Sequence, residues 1–194
     1  MARIVIDVDG VILDSGKQWL RYLMAHYQLK KGFFGHLPDP LPYNLTELFI
    51  FAEEGNEYYQ GDGFEYWNNY CLYDNLLPRE DTLAYIPLIQ KLGYEIVFCS
   101  RVIGNHGMSK EKFLNKWFPN NDGIVFTESK HLLQCDVFVD DSVTNLNKMI
   151  SVNPETTCYK FRQDYYEDVE PTQPFKIVWG WEDIYRRLKE SCYE

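Results

Sequence analysis

The sequence lacks the features of a disulfide-stabilised or membrane-embedded protein. Its five cysteines are odd in number and form no closely spaced pair, so neither a disulfide framework nor a zinc site is expected. No apolar run approaches the ~20 residues of a membrane span. The first predicted strand begins at the third residue, which leaves no room for a secretory signal. A cytoplasmic protein in a reducing compartment, without membrane contacts, is therefore predicted.

Positive charge is also scarce. Lysine and arginine number 19 against 29 aspartates and glutamates, a formal net charge of −10. Such a chain is not expected to hold polymeric nucleic acid through broad phosphate contacts, so no extended nucleic-acid surface is predicted. An anionic substrate would need local cations, either a metal ion or individual basic side chains. The 194 residues suffice for one domain, or one domain with an insertion.

The stretch from residue 3 to residue 15 places two carboxylates at the end of a buried strand. Ile4 to Ile6 form a β-branched apolar run typical of a parallel sheet, and Gly10 allows a sharp turn after it. Ligands of open α/β sheets bind at the carboxyl ends of the strands, where Asp7 and Asp9 lie. Two carboxylates on one face of an extended chain repel each other unless a cation lies between them. A divalent ion with oxygen ligands, such as Mg²⁺, resolves this repulsion most simply.

Two other interpretations of this stretch were considered. A calcium loop is disfavoured because the glycine comes at the fourth position instead of the sixth, and Gln18 replaces the bidentate glutamate. Asp14 and Ser15 are typical helix caps and are interpreted as such. Capping explains Asp7 and Asp9 less well, because both would leave water beside an apolar strand without compensation.

A second pair of acids follows a later strand. Val137 to Val139 are predicted to deliver Asp140 and Asp141 to the same edge as Asp7, if the strands are neighbours. Lys130 precedes Asp140 by ten residues and is predicted to return its ammonium group to this edge. A lone lysine is usually a solvated surface residue, but its place in this series of strand-end residues favours a functional role.

Three further polar residues have alternative interpretations. Ser100 follows a buried strand and is by itself ordinary turn chemistry. Arg101 offers planar donors for a phosphate group, although a surface ion pair is the commoner role of an arginine. Asn145 either orients the nearby acids, caps the following helix or faces solvent.

These residues occur in the order of four known motifs. The run Asp-Val-Asp-Gly-Val at residues 7–11 resembles the first motif of the haloacid-dehalogenase-like (HAD) superfamily. Ser100 matches its second motif, Lys130 its third, and the pair Asp140 and Asp141 its fourth. Most members are Mg²⁺-dependent phosphotransferases that work through an aspartyl phosphate. The resemblance implies an α/β fold with a doubly wound, Rossmann-like parallel sheet of about five strands and a small helical cap after the first strand.

The resemblance also implies a role for each matched residue. Asp7 is expected to be the nucleophile, and Asp9 the general acid and base. The expected Mg²⁺ ligands are Asp7, the backbone carbonyl of Asp9, Asp140 and Asp141. The expected phosphate-binding residues are Ser100, Arg101 and Lys130.

Residues 1–14 and 79–194 are predicted to form the core domain, and residues 15–78 the cap. The cap segment holds 15 of the 32 aromatic residues, most of which a small subdomain needs for its own core. Helices are predicted at 19–27, 45–54 and 64–73. Phe49 and Trp67 are the candidates for stacking on a substrate base.

Within the superfamily, the sequence most resembles the 5'(3')-deoxyribonucleotidases and related nucleotidases. The likeness rests on the spacing from Lys130 to Asp141, the cap position and the final Trp-bearing helix. It departs from them after the second motif, where those enzymes usually have a Thr-Ser-Pro turn and this chain has Cys99-Ser100-Arg101. A 5'-nucleotidase acting on nucleoside monophosphates is therefore predicted. The alternatives are a phosphatase for another small ester, a polynucleotide end-phosphatase, and a Mg²⁺-binding regulatory module without turnover.

Overall fold

The computed structural model describes residues 2–51, 61–166, 172 and 175–192. The strands in this part of the chain are β1 (Ala2–Asp7), β2 (Gln28–Leu29), β3 (Leu41–Pro42), β4 (Phe49–Ile50), β5 (Tyr94–Ser100), β6 (Gly123–Phe126), β7 (Val137–Asp140), β8 (Thr157–Phe161), β9 (Tyr165–Tyr166) and β10 (Lys176–Val178). The α-helices are α1 (Ser15–His26), α2 (Glu80–Lys91), α3 (Gly107–Trp117), α4 (Val143–Val152) and α5 (Trp181–Ser191). Short 3₁₀ helices lie at Lys31–Phe33, Leu45–Leu48, Phe64–Asn68 and Lys130–Leu132. None of the described helices is long and apolar enough to cross a membrane.

Six strands form one parallel sheet in the order β10-β8-β7-β1-β5-β6. β1 lies at the centre, which is why Ile4, Val5 and Ile6 are completely buried. The predicted α/β fold with a doubly wound parallel sheet is confirmed. Besides the five strands, the sequence indicates a short extended piece at 177–179, and the sheet has one strand more than expected because Lys176–Val178 pairs with β8 as β10.

The register of the sheet brings the ends of three strands together. Asp7 pairs with Cys99 of β5, so Ser100 lies one residue beyond it. Ile6 pairs with Val139 of β7, which places Asp140 level with Asp7. Residues far apart in the sequence therefore meet at one edge of the sheet.

Helices cover both faces of this sheet. On one face, Val5, Phe138 and Cys158 pack against residues of α4. On the other, Ile4 and Ile6 pack in a cluster that includes residues of α2, α3 and α5. Successive side chains of β1 thus pack on opposite faces of the sheet, because side chains alternate between the two faces of a strand.

Residues 15–78, here called the insertion, build a separate hydrophobic cluster. Its buried members are Trp19, Leu23, Tyr27, Leu45, Leu48 and Phe49. The prediction of helix is confirmed for α1 only. The segments predicted as helices at 45–54 and 64–73 contain single 3₁₀ turns, and β4 follows the first of them and pairs with β2. The Asn44 side chain accepts a hydrogen bond from the Thr46 amide, which closes a tight turn. Residues 52–54 of the predicted helix at 45–54 lie outside the described residues.

Two other local predictions differ from the structure. The sequence predicts Ser109 as the cap of α3, because Phe113, Leu114 and Trp117 follow it with helical spacing, but the helix begins at Gly107 with His106 at the cap position. The Ser109 hydroxyl instead donates to Asp74 and accepts the Tyr73 amide, at 2.7 and 2.9 Å. The sequence also predicts a polar loop at 162–174, but this stretch contains β9, which pairs with β3 of the insertion. Residues 167–171, 173 and 174 of that stretch lie outside the described residues.

Candidate active site

Three buried carboxylates and one ammonium group meet at the carboxyl edge of the sheet. Asp7, Asp140 and Asp141 each offer an oxygen, and these atoms lie within 4.8 Å of one another. The Lys130 Nζ lies 2.7 Å from Asp7 Oδ1 and 2.8 Å from Asp140 Oδ2. The structure therefore brings the acids of the first stretch together with those that follow β7.

The electrostatics of this group are unbalanced towards negative charge. Burial raises the pKa of Asp7 to about 7, although Lys130 opposes the shift. Burial, together with the charges of Asp7 and Asp140, also holds the pKa of Asp141 well above its usual range. Burial alone would lower the pKa of Lys130, but its two acidic partners outweigh burial and raise it. One lysine does not compensate three carboxylates, so an additional cation fits here.

Helix α4 orients Asp140. Its Ncap residue, Ser142, donates a backbone amide to Asp140 Oδ1 at 2.8 Å. The Asn145 side chain donates to both carboxylate oxygens of Asp140 at 3.1 Å. Of the three roles left open for Asn145, the structure thus supports that of orienting the acids.

Gly10 allows the first loop to approach Asp141 closely. Its φ of +80° is one that residues with a side chain rarely adopt, and a Cβ here would lie 2.3 Å from Asp141 Oδ2. The Gln163 side chain donates to the Gly10 carbonyl from the opposite segment. The glycine therefore serves both the turn and the packing of the site.

Asp9 lies beside this group in a hydrogen-bond network of its own. Tyr73 donates its hydroxyl to Asp9 Oδ1 at 2.6 Å, and Lys110 donates to Oδ2 at 2.7 Å. Ser100 donates to the same Oδ2 at 3.3 Å. The Asp9 side chain is not part of the three-carboxylate group found among the described residues. Its predicted contribution to a metal site remains the backbone carbonyl.

Lys110 is a site residue that the sequence analysis missed. Its side chain is completely buried, and its ammonium also donates to Ser100 Oγ and the Arg101 carbonyl. Burial would raise the pKa of Asp9, but the charge and hydrogen bonds of Lys110 and Tyr73 hold it below its usual value. A signal was present, because Lys110 shares a helix face with apolar Phe113 and Leu114, and buried lysines are rare without a partner.

A cavity of about 570 Å³ opens over these acids. Its wall includes Trp19, Phe64 and Trp67 of the insertion. The Trp67 carbonyl accepts a hydrogen bond from His106 Nδ1 at 2.6 Å, which fixes this wall to α3. Phe49 is placed differently from the expectation: it is 1% exposed in the insertion's hydrophobic cluster and does not line the cavity. A subdomain this small needs such a side chain for its own core.

Arg101 forms the surface ion pair that is the commoner role of an arginine. Its Nε lies 2.7 Å from Glu128 Oε1 in an exposed ion pair. Both residues also line the cavity, as do Ser100 and Lys130. The predicted contact of Arg101 with a phosphate group stays a prediction.

Comparison with known proteins supports the fold. No protein-family model matches the sequence, and no curated protein matches it. Solved structures do match over nearly the whole chain. One, assigned as a haloacid dehalogenase-like hydrolase of Burkholderia xenovorans, has a TM-score of 0.59 at 15% identity and 98% coverage of both chains. Another, assigned as a beta-phosphoglucomutase of Thermotoga maritima, has a TM-score of 0.57 at 14% identity, covering 98% of this chain and 99% of that chain.

A third similar structure is the D,D-heptose 1,7-bisphosphate phosphatase of B. bronchiseptica, complexed with magnesium and phosphate. Its TM-score is 0.50 at 11% identity, over 98% of this chain and 99% of that chain. At these identities the comparisons establish the fold alone. The fold is the Rossmann-like α/β architecture of HAD-superfamily hydrolases.

Proposed function

We propose that the protein is a Mg²⁺-dependent phosphomonoesterase that acts through an aspartyl phosphate on Asp7. The observation that carries this proposal is the meeting of Asp7, Asp140 and Asp141 around Lys130 at the edge of the sheet. Asp9 lies next to this group and the large cavity opens over both. A phosphatase of the same fold binds magnesium and phosphate, which agrees with the proposal.

The donor set fits a magnesium ion. Asp7, Asp140 and Asp141 offer only carboxylate oxygens, the ligand type that Mg²⁺ prefers. These three residues, with the carbonyl of Asp9, would hold the ion. Burial raises the pKa of Asp7 and of Asp141, as expected where negative charge lacks a counter-ion. When bound, Mg²⁺ offsets the charge of a phosphate dianion as an anionic nucleophile approaches it.

The reaction takes two displacements at phosphorus. In the first, a carboxylate oxygen of Asp7 forms a bond to phosphorus while the bond to the ester oxygen breaks. The ester oxygen leaves with that electron pair and takes a proton from Asp9, which gives the free alcohol. In the second, Asp9 takes a proton from water as the water oxygen attacks phosphorus. The bond between phosphorus and Asp7 then breaks, releasing inorganic phosphate and restoring the Asp7 carboxylate.

Lys110 controls when Asp9 carries the proton. In the free enzyme the ion pair with Lys110 favours the ionised form of Asp9. A phosphate dianion entering the cavity adds negative charge nearby, which raises the pKa of a carboxyl group and favours the protonated form. Ser100, Arg101 and Lys130 provide donors for the oxygens of the transferring phosphoryl group.

The proposed substrates are nucleoside monophosphates. Trp19, Phe64 and Trp67 provide an aromatic wall on which a base can stack, and such stacking is worth ~1–3 kcal/mol per base. These side chains come from the insertion, so we assign residues 15–78 as a substrate-binding cap on a core formed by 1–14 and 79–194.

The five cysteines are free, which supports a cytoplasmic enzyme.

Phosphate release tests this proposal directly. We expect Mg²⁺-dependent release from a panel of nucleoside monophosphates, loss of activity with EDTA, and at least about a thousandfold loss in Asp7→Asn. Wild-type activity in Asp7→Asn would show that the nucleophile is wrong. Turnover of sugar phosphates alone would remove the nucleotidase assignment. No release from any ester would favour a regulatory Mg²⁺-binding module, and salt-sensitive oligonucleotide binding would favour an end-phosphatase.

A further inference from the structure

A second cavity, of about 220 Å³, lies where the insertion leaves and rejoins the core. Four segments line it. They contribute Asp14 and Lys17 at the start of the insertion, Arg79 just after its end, and Arg162, Gln163, Asp164 and Trp179 from the segments that follow β8 and β10. The cavity is separate from the catalytic one, with which it shares none of these residues.

Two arginines line this cavity. Arg162 stacks on the Trp179 ring at 3.7 Å, and no carboxylate in the described part of the chain forms an ion pair with it. The Nε of Arg79 forms a long ion pair with Asp81 Oδ1 at 3.5 Å but has no hydrogen-bond partner among the described residues. Lys17, by contrast, is paired with Asp14 and Asp164 at 2.8 and 3.2 Å.

We infer that this cavity binds a small oxyanion of the phosphate class between the guanidinium groups of Arg79 and Arg162. Planar guanidinium donors match the oxygens of phosphate, and stacking on Trp179 orients Arg162 before an ion binds. The cavity has room for one such ion with water. The lining side chains include three cations and two carboxylates, and Asp81 pairs with Arg79 from beside the cavity, so Arg162 is the lining cation without an ion-pair partner among the described residues.

The ion would connect the insertion to the catalytic loop. The Arg79 amide donates to the Ile12 carbonyl at 2.9 Å, and the Gln163 side chain donates to the Gly10 carbonyl. The Asp164 carbonyl accepts the Leu41 amide of the insertion at 3.1 Å. An anion held by Arg79 and Arg162 would therefore stabilise both connections of the insertion. This inference goes beyond the proposed function, and its test requires no turnover.

Binding of inorganic phosphate in EDTA, measured by titration calorimetry, tests the site. Without metal, the excess charge of Asp7, Asp140 and Asp141 disfavours an anion in the catalytic cavity. We expect saturable binding that Arg162→Gln weakens about tenfold, because a charge-assisted hydrogen bond is lost. Arg162 is exposed, so its replacement is expected to leave the fold intact, which a thermal denaturation curve checks.

Two control variants locate the ion. Arg186→Gln removes an exposed arginine of α5, and Lys148→Gln removes a lysine at the mouth of the catalytic cavity. Both are expected to bind phosphate within about twofold of the wild type. Absence of saturable binding, an unchanged affinity in Arg162→Gln, or a loss in Lys148→Gln instead would each overturn the inference.

Discussion

Asp7 and Asp9 are two residues apart, yet their surroundings shift their pKa values in opposite directions. Burial raises the pKa of Asp7 to about 7, while Lys110 and Tyr73 outweigh burial and lower the pKa of Asp9. Two carboxyl groups whose environments separate their pKa values are typical of sites where one acts as nucleophile and the other exchanges protons. The opposite pKa shifts follow from where the lysines lie. Lys130 is shared between Asp7 and Asp140, whereas Asp9 is the one acid among the described residues that forms an ion pair with Lys110.

Replacing Lys110 tests its control of Asp9. In Lys110→Met the stem remains but the charge is lost, so we expect the pKa of Asp9 to rise. The limb of the kcat/KM profile that reports Asp9 should therefore move to higher pH. The measurement is phosphate release from one nucleoside monophosphate between pH 4.5 and 9.

The matched control is Lys112→Met, on the exposed face of the same helix. It removes an equal charge without touching Asp9 and should keep the wild-type profile. A profile for Lys110→Met that matches this control would disprove the assigned role.

The sequence predicted most of the residues that meet at this edge of the sheet, because each follows a strand or begins a helix in a known order. Asp7, Asp140 and Lys130 were predicted to meet, and they do so through the pairing of β1 with β7. Lys110 could not be assigned in this way, since its partner Asp9 is 101 residues away and only the packing of α3 brings them together. The sequence could not show whether the Phe49 ring lines the cavity or packs inside the insertion, because aromatic side chains serve in both places.

The conformation of the loop between β1 and α1 depends on Gly10. Gly10→Ala places a Cβ 2.3 Å from Asp141 Oδ2 and also requires an unfavourable φ of +80°. We expect the free energy of unfolding to fall by ~1–3 kcal/mol and Mg²⁺ binding to weaken, because Asp141 must move. Urea denaturation and a magnesium titration followed by calorimetry measure the two effects.

Gly93→Ala provides the comparison. Gly93 follows α2 with a φ of +94°, but a Cβ there meets no atom within 4 Å. It should therefore show the backbone cost alone, ~1 kcal/mol, with unchanged Mg²⁺ affinity. Equal losses in the two variants would mean that the contact with Asp141 is unimportant.

The sequence predicted the elements of the core better than those of the insertion, for a physical reason. Core strands and helices are buried in layers, so their apolar residues recur with the period of the element. The insertion is held instead by side-chain contacts such as the Trp19 indole donating to the Gly63 carbonyl, which leave no such period. Its 3₁₀ turns and two-residue strands are also too short to show one.

Because three carboxylates meet at one edge of the sheet, we expect the stability of the folded protein to depend on bound metal and on pH. The folded pKa of Asp7 is about 7, above the value of 3.8 for an unperturbed group. Between these values the folded protein keeps a proton that the unfolded chain has released. The stabilisation is therefore complete below pH 3.8 and is lost as the pH rises through 7. Asp141, whose pKa is raised for similar reasons, contributes in the same direction.

We therefore expect the thermal midpoint in EDTA to fall between pH 5 and 7.5. Mg²⁺ should restore it, and more strongly at pH 7.5, where the ion competes with fewer protons for the carboxylates. Asp7→Asn, which cannot lose a proton at this position, should show a shallower fall in EDTA and a smaller response to Mg²⁺. Differential scanning calorimetry of both proteins measures these midpoints. A midpoint in EDTA that rises over this range, or an Asp7→Asn variant with the same slope as the wild type, would contradict the assignment of a buried, metal-dependent acid cluster.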